Sequence, residues 1–382
     1  MSTPNPELVI RRATVDDMPQ VLEFVGETYG PGAPFKDVAR HRWQFENSPF
    51  RPEDETAPSI WLAFDGARVV GEIAVQDGRI WLDGSPVSAG WIVDVMVHPD
   101  FRGMGLSHRI HDAIMAERAV LVTLTMAPAT RRVAERVGCM TLGPTRQYVL
   151  PHRLSAQTVA RFLEYKAGIG GPMRRKALRA FNASRLGPML VSGAGRLLTR
   201  ALRLRGAFRS SNGFSHVEIG RFPDEIDEFW ARARRSFPAI FERSARFLNW
   251  RFVDCPGLTY RRFLLHKDGM LKGYLITRVG DAAELPMGVL VDAFADPDEQ
   301  DALDALVALA VNTLSPDAEY VEAAASTPAW QAALRRAGFV ATKTMRPTVV
   351  CTDPALRARL VRHADDWHFT KADHDWDQIH PM

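Results

Sequence analysis

Val97-His98-Pro99-Asp100-Phe101-Arg102-Gly103-Met104-Gly105-Leu106-Ser107 joins an apolar run to a segment with helical spacing. Glycine lacks a Cβ, so backbone N–H groups in such a turn can converge on one point. A helix that starts there adds four unpaired N–H donors and a partial positive charge. Together these make a cradle for an anion such as a pyrophosphate. A dinucleotide turn would need G-x-G-x-x-G, and the third glycine is absent. A P-loop would need Gly-Lys-Ser/Thr, also absent.

Three carboxylate or hydroxyl residues are candidates for proton transfer. Asp94 lies on the apolar run before the turn, Glu72 on an earlier run, and Tyr148 after the next helix. Tyr29 is a further hydroxyl that no spacing selects. His98 reads as a turn residue. At the other end of the chain, Asp373, Asp375 and Asp377 alternate. A calcium loop would require Gly at its sixth position and Glu at its twelfth. Gln378 stands at the sixth, so this stretch reads as a solvated tail, an acidic strand edge, a surface for a cationic acceptor, or part of the fold.

The elements that must position these residues occur twice. Val93 to Asp100 nearly repeats as Val291 to Asp298. "WQFENSP" from Trp43 matches "WRFVDCP" from Trp250. Trp61–Val75 matches Phe263–Thr277, each a β-hairpin around an Asp-Gly turn. Met126–Cys139 matches Ser326–Phe339, where Pro-Ala opens a helix and Gly follows it. The glycine turn is not repeated: Glu299-Gln300-Asp301-Ala302-Leu303-Asp304-Ala305 stands in its place, with three carboxylates that would repel a diphosphate. In the first copy Thr14 is placed to cap a helix.

The string from Val97 to Ser107 resembles the acetyl-CoA motif of the GNAT acetyltransferases, V-x-P-x-[YF]-R-G-x-G-[IL]-[GAS], with Ser107 as the small last residue. The resemblance covers about Leu8–Leu150, and the second copy follows the same plan from about Phe214 to Val350. It implies an α/β fold (an α+β mixed sheet) with two tandem GNAT-like domains, the second degenerate. The divisions expected are 1–150 for the acetyl-CoA domain, 151–212 for a basic, partly helical connector, 213–352 for the degenerate domain and 353–382 for the acidic tail. It further implies that Val95, Met96 and Val97 pair with the pantetheine arm, that Arg102, Gly103, Met104, Gly105, Leu106 and Ser107 hold the pyrophosphate, and that the strand from Leu121 splays away to open an acceptor slot. Acetyl-CoA or another acyl-CoA would be the co-substrate, with no metal, and a primary amine of a small molecule, sugar or lipid the acceptor. The family's acid, a Tyr on the last helix, falls on Ala134 here and on Leu334 in the second copy. Asp292 stands where Asp94 does, which favours a structural role for both. The alternatives are a non-catalytic acyl-CoA-binding or scaffold protein, or transfer from an acyl carrier protein.

Composition bounds the rest. The chain has 382 residues and a net charge of +3, which hides an asymmetry. Residues 151–212 hold thirteen Lys plus Arg against one acidic residue, Glu164, so about −9 is left for the remainder. Within residues 171–210 a basic amphipathic stretch, Arg196 to Phe208, suits either packing on the domains, an anionic membrane surface or an acyl carrier protein. Few aromatics accompany it, so nucleic acid is not expected. No leader pattern opens the chain, no apolar run is long enough to span a bilayer, and Cys139, Cys255 and Cys351 form no pair motif. The expectation is a cytoplasmic protein, with peripheral membrane contact through the connector as an option.

Overall fold

The computed structural model describes residues 8–29, 37–52, 56–124, 138–152, 213–282 and 285–378, with parts of 155–197. The strands are β1 Val9–Arg12, β2 Ile60–Asp65, β3 Arg68–Leu82, β4 Ser85–Val97, β5 Val120–Thr123, β6 Met140–Thr141, β7 Thr145–Pro151, β8 Phe214–Glu218 and β9 Ala239–Phe241. They continue with β10 Arg261–Lys267, β11 Met270–Ala282, β12 Leu285–Ala295, β13 Tyr320–Ala325, β14 Val340–Met345, β15 Thr348–Cys351 and β16 Trp367–His368. The helices are α1 Met18–Tyr29, α2 Val38–His41, α3 Leu106–Glu117, α4 Pro172–Ala183, α5 Glu225–Ala233, α6 Ala245–Phe252, α7 Gln300–Leu314, α8 Pro328–Arg336 and α9 Pro354–Arg362.

Two mixed sheets result. The first runs β1-β2-β3-β4-β5-β15-β6, with β9 and β16 added along the far half of β3; the second runs β14-β7-β13-β12-β11-β10-β8. The duplicated hairpins are β2–β3 and β10–β11. Asp268 and Gly269 both have positive φ in the second, which matches the turn to the twist of its strands. Thr14 forms a capping box with Asp17 ahead of α1, as its position predicts. Pro328 opens α8, and Gly338 follows it at φ 95°. The matching helix of the first copy lies outside the described residues.

The two sheets exchange a strand. β7, which follows β6 after three residues, leaves the first sheet and inserts between β13 and β14. In return β15 inserts between β5 and β6. The repeated tryptophans meet with the same reciprocity. Their rings stack at 4.8 Å, Trp43 Nε1 donates to the Trp250 carbonyl (2.8 Å), and Trp250 Nε1 to that of Trp43 (3.1 Å). One apolar cluster draws on both copies: Ile80, Trp91 and Val122 from one, Ala324 and Met345 from the other. Fully burying such side chains contributes roughly 1.5–3 kcal/mol each.

The C-terminal segment is part of this interior. Every residue from Trp367 to Gln378 is buried, which removes the solvated-tail reading. Its carboxylates neutralise buried arginines. Arg243 donates to Asp373 (2.7 Å) and to Asp292 (2.9 Å), and Arg251 pairs with Asp377. Lys371 reaches Glu322 on β13 (3.0 Å).

Two histidines of this segment titrate in opposite senses. Burial, then the charge of Arg243, holds His368 well below its ordinary pKa. The unfolded chain therefore takes up a proton that the folded chain refuses, and stability falls as pH drops below about 6.5. Burial opposes the charged form of His374 as well, but Asp375, the Ile92 carbonyl and Asp94 offset it and raise the pKa. Its contribution is complete below about 6.5 and is lost as pH rises through the raised value. Thermal melts should show His368→Phe losing less stability than wild type between pH 7 and pH 5; identical losses would contradict this assignment.

Candidate acyl-CoA and acceptor site

β4 carries the site because it parts from its neighbour. Among the described residues it pairs with β5 only at Gly90↔Leu121 and Trp91↔Val122, and no described strand pairs with that edge of β4 beyond Trp91. Gly90 leaves room for side chains of both neighbouring strands, since a Cβ there would stand 2.3 Å from Val75 Cγ1 of β3 and 3.2 Å from Leu121 Cδ2 of β5. Opposite β3 the register jumps from Val75↔Ile92 to Ala74↔Asp94, so Val93 is the extra residue of a β-bulge. The second copy repeats both features. β12 and β13 pair from Met287↔Tyr320 to Val289↔Glu322 and then part, and Val291 is the bulged residue.

Past β4 the backbone turns through Pro99–Phe101, where the His98 side chain accepts from Asp100 N. Arg102 Nε donates back to the Val97 carbonyl (3.2 Å). Gly103 and Gly105 sit at φ 82° and 74°, a region that favours glycine. No side chain caps α3, whose N-cap is Gly105, and residues 102–105 are exposed. The turn thus presents an open helix N-terminus to solvent. Arg109, in the first turn of α3, donates to the Leu8 carbonyl (3.1 Å).

The second copy is built differently at this point. Eight residues, 98–105, separate β4 from α3, but only four, 296–299, separate β12 from α7. The glycine turn is replaced by extra helix, not merely by other side chains. Glu299 is the N-cap residue of α7 and holds Lys272 (2.6 Å), and Asp301 lies in the first turn. Glu225, Glu228 and Asp296 line the same cleft. An anion arriving there meets carboxylates.

The residues singled out for proton transfer separate into two places. Glu72 and Asp94 are both buried. Glu72 lies opposite Met96 and Asp94 opposite Ala74, which makes the two carboxylates diagonal neighbours on one face. Ala74 and Met96 pack on that face with Phe24 of α1 and Phe45. In the second copy Tyr274 and Asp292 take these positions and touch, Tyr274 Oη donating to Asp292 (2.8 Å). Asp292 also receives Arg243 and Thr370, so there the carboxylate is a structural counter-ion. Tyr148 goes elsewhere. It lies on the exchanged strand β7, fully buried in the core of the second sheet with Leu303, Leu306 and Trp330. The crossing of β7 takes it away from the bulge of β4. The side chain of Tyr29 and all of Ala134 lie outside the described residues.

Sequence reasoning did not single out His374 in the C-terminal segment. His374 Nε2 lies 3.0 Å from the Ile92 carbonyl, its ring meets Trp91 edge-on at 5.3 Å, and Nδ1 contacts Asp375. Its backbone has φ 68°, uncommon for a residue with a side chain. A narrow crevice beside it is lined by Gln76, Asp77, Trp91, Phe247, Ala372 and His374, among others. No local spacing around His374 announces this role, because its partners lie some 280 residues earlier.

Comparison with known proteins places this geometry. Residues 9–141 match the family model of the acetyltransferase (GNAT) domain. A search of curated proteins found no match. Among solved structures, the GCN5-related N-acetyltransferase from Anabaena variabilis has a TM-score of 0.59 at 11% identity, covering 91% of this chain and 73% of its own. The one from Kribbella flavida has a TM-score of 0.55 at 14% identity, covering 91% and 71%. The N-myristoyltransferase of Saccharomyces cerevisiae, solved with bound myristoyl-CoA, has a TM-score of 0.53 at 11% identity, covering 91% and 84%. At these identities the likeness is one of fold. Residues 9–141 thus match the model of a GNAT acetyltransferase domain, in a chain whose two mixed sheets share the GNAT fold.

Proposed function

We propose that the first copy binds acyl-CoA, acetyl-CoA foremost, and transfers the acyl group to a primary amine. The observation that carries this reading is the combination, among the described residues of the first copy, of a β4 edge without a paired strand and a glycine turn that no side chain caps. The edge from Val95 to Val97, which no described strand pairs and where Arg102 holds the Val97 carbonyl, suits backbone pairing with pantetheine, as an added strand. The turn from Arg102 to Ser107 suits the pyrophosphate. No residue here replaces the thioester: acyl-CoA supplies the activated carbonyl as co-substrate.

The amine nitrogen attacks the thioester carbon, the C–S bond breaks, and the sulfur leaves with the electron pair. An alkylammonium has a pKa near ~10 and must lose a proton first. Asp94 and Glu72, on the α1 face of the open edge, are the candidates to receive it; the constraint seen at Asp292 argues that Asp94 also holds structure. A thiol pKa of ~8.5 makes thiolate a workable leaving group without a dedicated acid. The second copy keeps the fold and the bulge but serves as a wall and a counterweight, its cradle closed by extra helix.

The connector supports a docking role. α4 exposes Arg175, Lys176 and Arg179, and Met189, Leu190 and Val191 beyond it are exposed together. The stretch from Arg196 onward lies outside the described residues, apart from Leu197. Basic charge with exposed apolar side chains suits an anionic lipid surface. Among the described residues no helix is long and apolar enough to cross a membrane. The free thiols Cys139, Cys255 and Cys351 support a reducing, cytoplasmic compartment.

One assay tests the whole reading: thiol release from acetyl-CoA over a panel of sugar, amino-acid, polyamine and lipid amines, the lipid arm presented in neutral and in anionic vesicles. Turnover with at least one amine is expected, and co-sedimentation with anionic vesicles that high salt reverses. Binding of acetyl-CoA with no release across the panel would favour the scaffold alternative. Release only from acylated carrier protein would replace the donor.

A further inference from the structure

The C-terminal segment is tied to the second copy before it reaches the first. Phe369 and Ser326 exchange backbone and hydroxyl bonds at the end of β13, and Thr370 Oγ1 donates to Asp292 on β12 (2.9 Å). Three residues on, Asp373 is buried with only half of its carboxylate used. Its Oδ2 accepts from Arg243 (2.7 Å) and from the Thr370 N–H (2.9 Å). Arg243 also serves Asp292, so one guanidinium answers two interior carboxylates. Asp373 Oδ1 has no hydrogen-bond partner among the described residues. A buried carboxylate oxygen left so is costly unless a polar group meets it.

Asp373 lines the crevice beside His374, together with Gln76 and Trp91, which stand opposite each other on β3 and β4. Gln76 and Ala74 share a face of β3, and Asp94 is opposite Ala74. The crevice and Asp94 therefore lie on one face of the sheet, two residues or about 7 Å apart along the strand. The crevice has room for about one water-sized group. Two stacked ring pairs border it, Trp91 with Phe241 at 4.6 Å and Phe50 with Phe247 at 6.0 Å. The other charged groups there are already engaged. Asp77 accepts from Arg118 and Ser59, Glu242 from Trp81, His374 lies between Asp375 and the Ile92 carbonyl, and Arg79 lies over the Phe50 ring. An open carboxylate oxygen among aromatic rings, in so small a space, suits a primary ammonium.

We propose that Asp373 anchors a second ammonium of the acceptor, so that the substrate is a short, unbranched diamine. The nitrogen that reacts must stand beyond Trp91, where the edge of β4 opens, within reach of Asp94. The crevice falls short of that point, because Trp91 is still paired with β5. Its occupant is therefore not the nitrogen that attacks, but a group joined to it by a short alkyl chain. The anchored ammonium keeps its proton and answers the carboxylate that shares Arg243. The other amine gives up its proton and adds to the thioester carbon. Asp373 holds the acceptor in place and takes no part in making or breaking the bond. The narrowness of the crevice selects an unsubstituted ammonium over a methylated one. The second copy then has a task beyond support, since it fixes the segment that carries the anchor. This inference rests on the acyl-CoA reading above.

The test uses 1,4-diaminobutane as probe and 1,4-butanediol as its neutral control. Saturation-transfer NMR reads their binding to wild type, Asp373→Asn and Gly78→Ala, each with and without CoA. Asn keeps a carbonyl for Arg243 and the Thr370 N–H and puts an NH₂ where Oδ1 was, which repels an ammonium. Gly78 also lines the crevice, and a Cβ there meets nothing closer than the Phe241 ring at 3.6 Å, so Ala takes up the space and leaves the charges alone. Wild type should bind the diamine and not the diol. Each variant should weaken the diamine about ten-fold or more, as loss of a charged hydrogen bond does. With acetyl-CoA, kcat/KM for 1,4-diaminobutane should exceed that for n-butylamine about ten-fold, and both variants should erase the difference. Should Asp373→Asn fail to fold, Gly78→Ala carries the test. Equal signals from diamine and diol in wild type, which mark a crevice that holds water only, would overturn the proposal. So would diamine binding unchanged in both variants. The probe is also read without CoA, so a wild type that binds diamine but not CoA would overturn the acyl-CoA reading and not the anchor.

Discussion

Gly105→Val is expected to weaken CoA binding by about 100-fold or more while the fold survives. A Cβ at Gly105 meets no protein atom within 4 Å, so nothing in the chain must move to admit it. Two effects combine in the bound state. A side chain at φ 74° costs roughly 1–2 kcal/mol if the turn is kept. The branched side chain also occupies the concave side of the turn and removes hydrogen bonds to a charged diphosphate, each worth about 1.5–3 kcal/mol. Every ~1.4 kcal/mol is a factor of ten in affinity. Gly84, in the turn between β3 and β4, is the matched control: φ 73° with nothing within 4 Å. Gly84→Val should lower the melting temperature by a similar amount and leave CoA affinity alone. Equal CoA affinity in the two variants would remove the cradle from the account.

Arg243→Met should destabilise the chain by about 3–5 kcal/mol, the range for breaking a buried ion pair. Arg243 is fully buried between Asp292 and Asp373, and donates also to the carbonyls of Phe241 and Glu242. Removing it leaves two carboxylates in the interior without their cation. The loss is therefore a desolvation cost more than a missing attraction. The corollary is sharp: adding Asp292→Asn and Asp373→Asn should recover much of the melting temperature, because neutral amides no longer need a counter-charge. A single substitution that costs nothing, or a triple variant worse than the single, would contradict it. The same variants also separate stability from CoA binding, since the bonds of Arg243 run to Asp292, Asp373, Phe241 and Glu242 and not to the glycine turn.

How much of this was legible beforehand depended on whether the signal was local. The hairpins around Asp65-Gly66 and Asp268-Gly269, the strand before Pro99 and the turn with its two glycines are written in neighbouring residues, and the sheets contain them where the repeat predicts. The strand exchange is different. β7 and β15 read the same in sequence whichever sheet they join, so the local pattern cannot say that Tyr148 crosses to the other copy. That crossing is why a hydroxyl chosen for its place in the chain ends in the wrong core. The alternating aspartates near the end left several readings open, part of the fold among them, for a similar reason. Their partners, Arg243 and Arg251, are 130 and 126 residues away. Asp292, by contrast, was suspected as structural from the repeat alone, and its bonds to Arg243, Tyr274 and Thr370 give that suspicion its cause.

Titration calorimetry of the intact chain with CoA asks the central question most directly, namely whether one copy holds the cofactor and its twin does not. One equivalent of CoA per chain is expected, with the heat abolished by Gly105→Val and unchanged by substitution of Glu299. Two equivalents, no heat at all, or binding that survives at Gly105 but fails at Glu299 would contradict the account.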